Sequence, residues 1–433
     1  MNDSYLLVPS GERTLELLMT SAEKPLDETN VGAPEFWQSG PPVELFTKLR
    51  AKCPVHWSGP PGPPDMPGFW SVTRASEIEA ISRDWKTYSS AINGVDNLDN
   101  PVITALENKT FINMDPPLHD KMKALFLERF TPSRIAADEP WIRQVADTVF
   151  SRIEGRETVD LVEDVAQPIV SRVIHAMCGI PEEEDAKWGA YMNRYMARED
   201  PGYNPGGLEE YVNEFVPFLV AEATKMIEPR RRRTDAAPVG VADNVIDVMV
   251  NGTVDGRPLT DEEIAMNILL ILSAGNDSTK STYTSTMKAL MENPDQMQLL
   301  VEDPSLIAGA VEEALRMYPP FTSFCRTTTR DVELGGKQVK SGEKVALWYS
   351  SSNRDETRYE NPEVFDVRRN PEHHAFGGGG RHFCLGAALA RLELRVMLEE
   401  TIKRYPTMRL DGETPMATSY TLNQYTAMPV RLR

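Results

Sequence analysis

From Pro132 to Met226 apolar residues recur at three- and four-residue spacing, the period of helices that bury one face. A capping box at Thr260 and Glu263 predicts the start of a further helix, which runs on long and apolar. Another helix is expected from about Pro304 to Met317, stopped by Pro319-Pro320. A last long one begins just after Cys384. Strand patterns are few and short: Phe69 to Thr73, Thr327 to Leu334 before a Gly335-Gly336 turn, and Val345 to Tyr349. The first ~65 residues are rich in proline and predict irregular chain, residues 1–45 above all, ending in Gly59-Pro60-Pro61-Gly62-Pro63-Pro64. Asn353 to His374 also reads as irregular. With no internal repeat and no clean linker, the pattern predicts one mainly α domain with a small β region over residues 1–433.

Composition narrows the partners. Hydrophobic residues are 41% of the 433, enough for a sizeable core. Asp+Glu outnumber Lys+Arg by 65 to 46, a formal charge of −19, so nucleic acid and anionic membranes are poor partners. The basic run Arg230 to Arg233 reads as a solvated loop between helices. No basic region followed by an apolar core opens the chain, which argues against a secretory signal. The most apolar stretch, Ile264 to Leu272, is broken by Asn267 and too short to span a bilayer, so no membrane anchor is expected. Cys53, Cys178, Cys325 and Cys384 have neither zinc-ligand nor redox spacing, which suggests a reduced, cytoplasmic protein.

The chemistry concentrates at Phe376-Gly377-Gly378-Gly379-Gly380-Arg381-His382-Phe383-Cys384-Leu385-Gly386. Consecutive glycines admit positive φ and close backbone approach. Cys384 precedes a helix-forming run, whose N-terminal dipole favours a thiolate. Three readings compete: a buried cysteine beside a phosphate cradle, a cysteine nucleophile, and a thiolate bound to haem iron. The first lacks the Lys-Ser/Thr ending of a phosphate loop, and the second lacks a base. Upstream, Ser273-Ala274-Gly275-Asn276-Asp277-Ser278-Thr279 predicts a lesion inside the long apolar helix, since these are poor helix formers. Glu313 and Arg316 stand three apart on one helix face.

These segments, with Asp115-Pro116-Pro117-Leu118-His119-Asp120-Lys121-Met122-Lys123, Phe130-Thr131-Pro132 and Phe324-Cys325-Arg326, resemble the cytochrome P-450 family of haem-thiolate monooxygenases, in its order and from about Phe46 to Arg431. The resemblance implies the family's fold, haem b (iron protoporphyrin IX) and dioxygen as co-substrate. It makes Cys384 the axial iron ligand, a thiolate that favours O–O cleavage. Phe376 would pack beside the sulfur, although it lies eight residues before the cysteine where seven is commonest; Gly377 and Gly386 would flank the cofactor. His119, His382 and Arg326 would bond haem propionates, with Lys123 where an arginine is usual. Ala274 and Gly275 match the small residues beside the haem. Asp277, Ser278 (where threonine is commonest) and Thr279 match the proton-delivery stretch. Glu313, Arg316 and Arg369 match a buried structural triad.

The same resemblance implies a substrate roof from Ile92 to Val95, Leu269 to Ala274, Thr322 to Phe324 and Asn423 to Tyr425, with Val95, Leu270, Ser273, Thr322, Phe324 and Gln424 as contacts. The expected substrate is small and hydrophobic, of sterol, terpenoid or lipid type. Electrons would come from a small ferredoxin served by a flavin reductase, docking near Lys121, Lys123 and Arg381. A peroxide-driven peroxygenase and a non-catalytic haem sensor are the alternatives.

Overall fold

The computed structural model describes residues 26–59, 67–96, 101–232 and 244–433. Expectations for residues 1–25, for Pro60 to Pro64 and for Arg233 lie outside them. Helix α1 (Val43–Lys52) and strand β1 (Val55–Ser58) occupy chain expected to be irregular. The proline-rich flanks hide a helix whose Phe46 and Leu49 are fully buried against Trp37 and Trp348, so tertiary packing stabilises it. Strand β1 pairs with β2 (Phe69–Val72) in a five-stranded sheet completed by β3 (Tyr88–Ser89), β4 (Ser323–Thr328) and β5 (Lys344–Trp348). The order is β1-β2-β5-β4-β3, with β5 parallel to β2 and the other pairs antiparallel.

The strand expected over Thr327 to Leu334 divides. β4 ends at Thr328, and Val332–Leu334 forms its own hairpin with Lys337–Val339. Gly335 and Gly336 both hold positive φ, as a two-residue turn between right-twisted strands requires.

The helical body surrounds a long central helix. Helix α2 (Leu118–Leu127) packs beside the short helix Val245–Asn251, whereas α3 (Gln167–Cys178) and α4 (Asp185–Met196) lie directly against the central helix. The central helix α5 (Asp261–Glu292) starts with both halves of the capping box: Glu263 N–H donates to Thr260 Oγ1 at 3.2 Å, and Thr260 N–H to Glu263 Oε2 at 2.8 Å. α5 runs unbroken through 273–279, contrary to the expected lesion. Its polar residues are satisfied without breaking the backbone ladder: Asn276 Oδ1 accepts from Ser171 and Gln167 of α3. Gly275 is required by packing, since a Cβ there would stand 2.5 Å from Ile174 Cγ1. Helix α6 (Ile307–Met317) and α7 (Ala387–Arg404) close the other side. Between α6 and α7, residues 353–386 carry no helix or strand, and this irregular chain delivers Cys384 to the start of α7.

Candidate active site

A cavity of about 1900 Å3, mouth included, lies between α5 and the cysteine loop. Cys384, Phe376, Gly377, Gly386, Ala274, Gly275, Ser278, Thr279, His119, Lys123, Arg326 and His382 all border it. The thiol's accessible surface faces this interior. Burial raises its pKa, and the Gly386 N–H, Lys123 and Arg391 only partly oppose that rise. The helix start alone therefore does not produce the thiolate expected from the sequence; a bound cation would have to. Phe376 is packed by the Arg391 guanidinium, 4.5 Å from its ring centre. The glycines are not all there for a ligand: a Cβ on Gly378 or Gly380 would collide with Ser82.

Opposite the sulfur, one stripe of α5 lines the cavity. Ala274 and Ser278 are one turn apart, and the Ser278 hydroxyl donates to the Ala274 carbonyl at 2.6 Å. Thr279 Oγ1 donates to Glu393 Oε2 at 3.3 Å. Asp277 is a correction to the expected relay. It does not border the cavity; its carboxylate takes the Lys280 ammonium at 2.6 Å, and that ammonium also donates to Gln167 and Asn193. The carboxyl that borders the cavity beside Thr279 is Glu393 on α7, which no motif marked. Burial pushes it up to about 8 against the pull of Thr279, and its Oε1 has no partner among the described residues. Its position between Leu392 and Leu394, on a helix that also carries Glu399 and Glu400, did not set it apart.

Several polar groups converge at one edge. His119 is buried, with Nδ1 3.0 Å from Asp120 Oδ1 and Nε2 without a partner among the described residues. Its ring centre is 4.1 Å from that of His382, which burial and the charges of Arg326, His119 and Lys123 press down to about 2. Arg326 donates to the Cys325 carbonyl and pairs with no carboxylate among the described residues. Lys123 is turned elsewhere: its ammonium donates to the carbonyls of Arg381 and Phe383, clamping the cysteine loop. Nearby Lys121 and Arg381 are paired with Asp255 and Asp120, so the expected basic dock is largely neutralised.

Of the expected substrate contacts, Val95, Leu270, Ser273 and Phe324 border the cavity. Thr322 and Gln424 do not. Thr322 is buried with its hydroxyl donating to the Tyr420 carbonyl at 2.5 Å, while its neighbour Phe321 faces the cavity. Gln424 is buried behind that wall. Phe111, Ile174, Tyr195, Arg198 and Tyr211 also line it; no motif marked them. Away from the cavity, Arg316 grips Glu313 through Nε and Nη2 at 2.7 and 2.8 Å, both fully buried, and Arg369 Nε reaches Glu313 at 3.2 Å.

The family model described as Cytochrome P450 matches residues 79–424. The chain belongs to the cytochrome P450 family. It is 36% identical over 405 residues to a steroid C26-monooxygenase of Mycobacterium tuberculosis, covering 91% of this chain and 94% of that one. A steroid C26-monooxygenase of Mycolicibacterium smegmatis is 30% identical over 390 residues, with 88% of each chain covered. Among solved structures, Mycobacterium marinum cytochrome P450 CYP268A2 in complex with pseudoionone superposes with a TM-score of 0.87 at 33% identity, over 94% of this chain and 99% of that one. CYP109E1 of Bacillus megaterium in complex with testosterone gives 0.80 at 29%, over 93% and 100%. The P450 is therefore a monooxygenase, and its family implies a haem, dioxygen, a hydrophobic substrate and a redox partner. Among the described residues no helix is long and apolar enough to cross a membrane.

The residues present fit such a cofactor. A thiol borders the cavity, and a buried imidazole nitrogen lacks a partner among the described residues. A buried guanidinium lacks a carboxylate, as a site for an anionic edge would need.

Proposed function

We propose that this P450 hydroxylates a C–H bond in the side chain of a steroid, or of a terpenoid of similar bulk, using haem b. Cys384 holds the iron, and His119, His382 and Arg326 hold the propionates. The observation that carries this reading is one cavity that joins the Cys384 thiol to apolar walls from Leu270, Ile174, Phe111 and Phe324. The identities to steroid C26-monooxygenases support the substrate class. The haem, when bound, supplies the activation of dioxygen.

The chain's own residues do the rest. The apolar walls exclude water and align the substrate. Thr279, donating to a Glu393 that is neutral at pH 7, is the side-chain pair placed to hold and pass a proton; the Ser278 hydroxyl is committed to its own helix. Electrons come from a ferredoxin and its flavin reductase, in the cytoplasm, and residues 1–433 work as one unit.

The test begins with the carbon-monoxide difference spectrum of the reduced protein. A strongly red-shifted Soret band, lost in Cys384→Ala, is expected. A band of the His-ligated type would remove the reading. Steroid-dependent NADH consumption with a ferredoxin and reductase is expected next; product formed at full rate with peroxide alone would make the protein a peroxygenase.

A further inference from the structure

One wall of the cavity departs from its apolar character. Asp96, Glu107, Tyr195 and Arg198 border it together. This cluster is separate from the cysteine end, since the charges that act on the thiol are Lys123 and Arg391, whereas those on Glu107 are Asp96, Arg198 and Lys344. Arg198, only 8% exposed, is held by Asp96 and by Glu199, whose Oε1 accepts its Nε–H at 2.8 Å. Lys344 donates to the carbonyls of Asn93 and Asp96. Among the described residues, two cations, Arg198 and Lys344, thus stand beside two carboxylates, Asp96 and Glu199, before Glu107 is counted.

Glu107 is the member with room for a ligand. The Asn113 side chain and the Tyr195 hydroxyl reach it, and it borders the cavity. Burial, and then the Asp96 charge, bring it up to about 7, so near neutral pH its protonated, donating form is well populated. The charge balance disfavours a further anion, because a fatty carboxylate would add to an already compensated set. A bare hydrocarbon would strip water from Glu107 and return no hydrogen bond.

Resting on the substrate class proposed above, we infer that Glu107, oriented by Tyr195 and Asn113 and backed by Arg198, is a specificity subsite for a neutral ketone or hydroxyl oxygen on an otherwise apolar substrate. The oxygen takes its hydrogen bond from Glu107, and this fixes which C–H faces the cysteine end.

The test uses the haem-loaded protein and two matched pairs of ligands, titrated by the spin-state shift. One pair is cholest-4-en-3-one against cholest-4-ene; the other is pseudoionone against its hydrocarbon counterpart without the carbonyl. Each ketone is expected to bind at least tenfold tighter than its partner. Glu107→Leu and, separately, Tyr195→Phe should shrink that ratio at least threefold, Glu107→Leu also tightening the hydrocarbon because the group it strips of water is gone, and Glu107→Gln should restore much of the ratio. A ketone preference that survives in both variants, or that is absent from both pairs, overturns the subsite; absent from both pairs while the two steroids still bind, it does so and leaves the steroid reading intact. A preference confined to the pseudoionone pair and lost in Glu107→Leu upholds the subsite and ends the steroid reading. No spectral shift with any of the four overturns both.

Discussion

Asp277, Ser278 and Thr279 are consecutive, and their neighbours assign them different work. The Asp277 carboxylate balances a Lys280 that is 3% exposed, so Asp277→Asn leaves a buried ammonium without its charge partner. The expected cost is about 3–5 kcal/mol, read as a fall in the urea midpoint. A midpoint within about 0.5 kcal/mol of the parent's would mean that the pair carries no such load. Thr279→Ala should instead lower the fraction of NADH electrons that reach product, with a smaller stability loss of about 1 kcal/mol for one hydrogen bond. The pairing was half legible. Helical spacing puts Ala274 with Ser278 and Asp277 with Lys280 on shared faces. Which face meets the cavity depends on Gln167 and Asn193, which local periodicity does not bring to α5.

At the scale of elements, α5 was legible where its chemistry is local and not where it depends on a neighbour. The capping box needs only Thr260 and Glu263, and it formed. The lesion did not form, because α3 supplies partners for Asn276 and uses Gly275 for close approach. α6 and α7 show a second dependence of this kind. Glu312 of α6 takes two hydrogen bonds from Arg391 of α7, at 2.7 and 2.8 Å, and one from His373 at 3.1 Å. Burial alone would raise this carboxyl, but His373 and Arg391 outweigh it and hold it near 2, against 4.5 when free. A lowered pKa means that the stabilisation is present above about pH 4.5 and is lost as pH falls toward 2. With screening at this partly exposed site, about 1 kcal/mol should disappear over that window. Urea midpoints at pH 6 and pH 3 should differ less in Glu312→Gln than in the parent; an equal difference would place the acid sensitivity elsewhere.

Across the whole molecule, the least legible features join distant parts of the chain. The sheet inserts β5 between β2 and β4, and the buried Arg50 of α1 binds Glu356 and Ser351. Neither follows from a local pattern, so the first residues looked irregular although their packing partners lie some 300 positions on. The Glu313, Arg316 and Arg369 cluster is the strongest of these ties. Arg316 also donates to the carbonyls of Asn353 and Pro362, and Glu313 accepts from the Asp366 N–H, so two side chains fasten much of the irregular segment to α6. That segment runs straight on into the cysteine loop. Glu313→Gln keeps the shape but removes the charge that balances a fully buried guanidinium, at an expected cost of about 3–5 kcal/mol. If the cluster holds the loop's approach as well as the core, haem per polypeptide should fall together with the urea midpoint. A lower midpoint with full haem content would confine the cluster to core packing, and no change in either would mean that Arg316 is satisfied by its carbonyl partners alone.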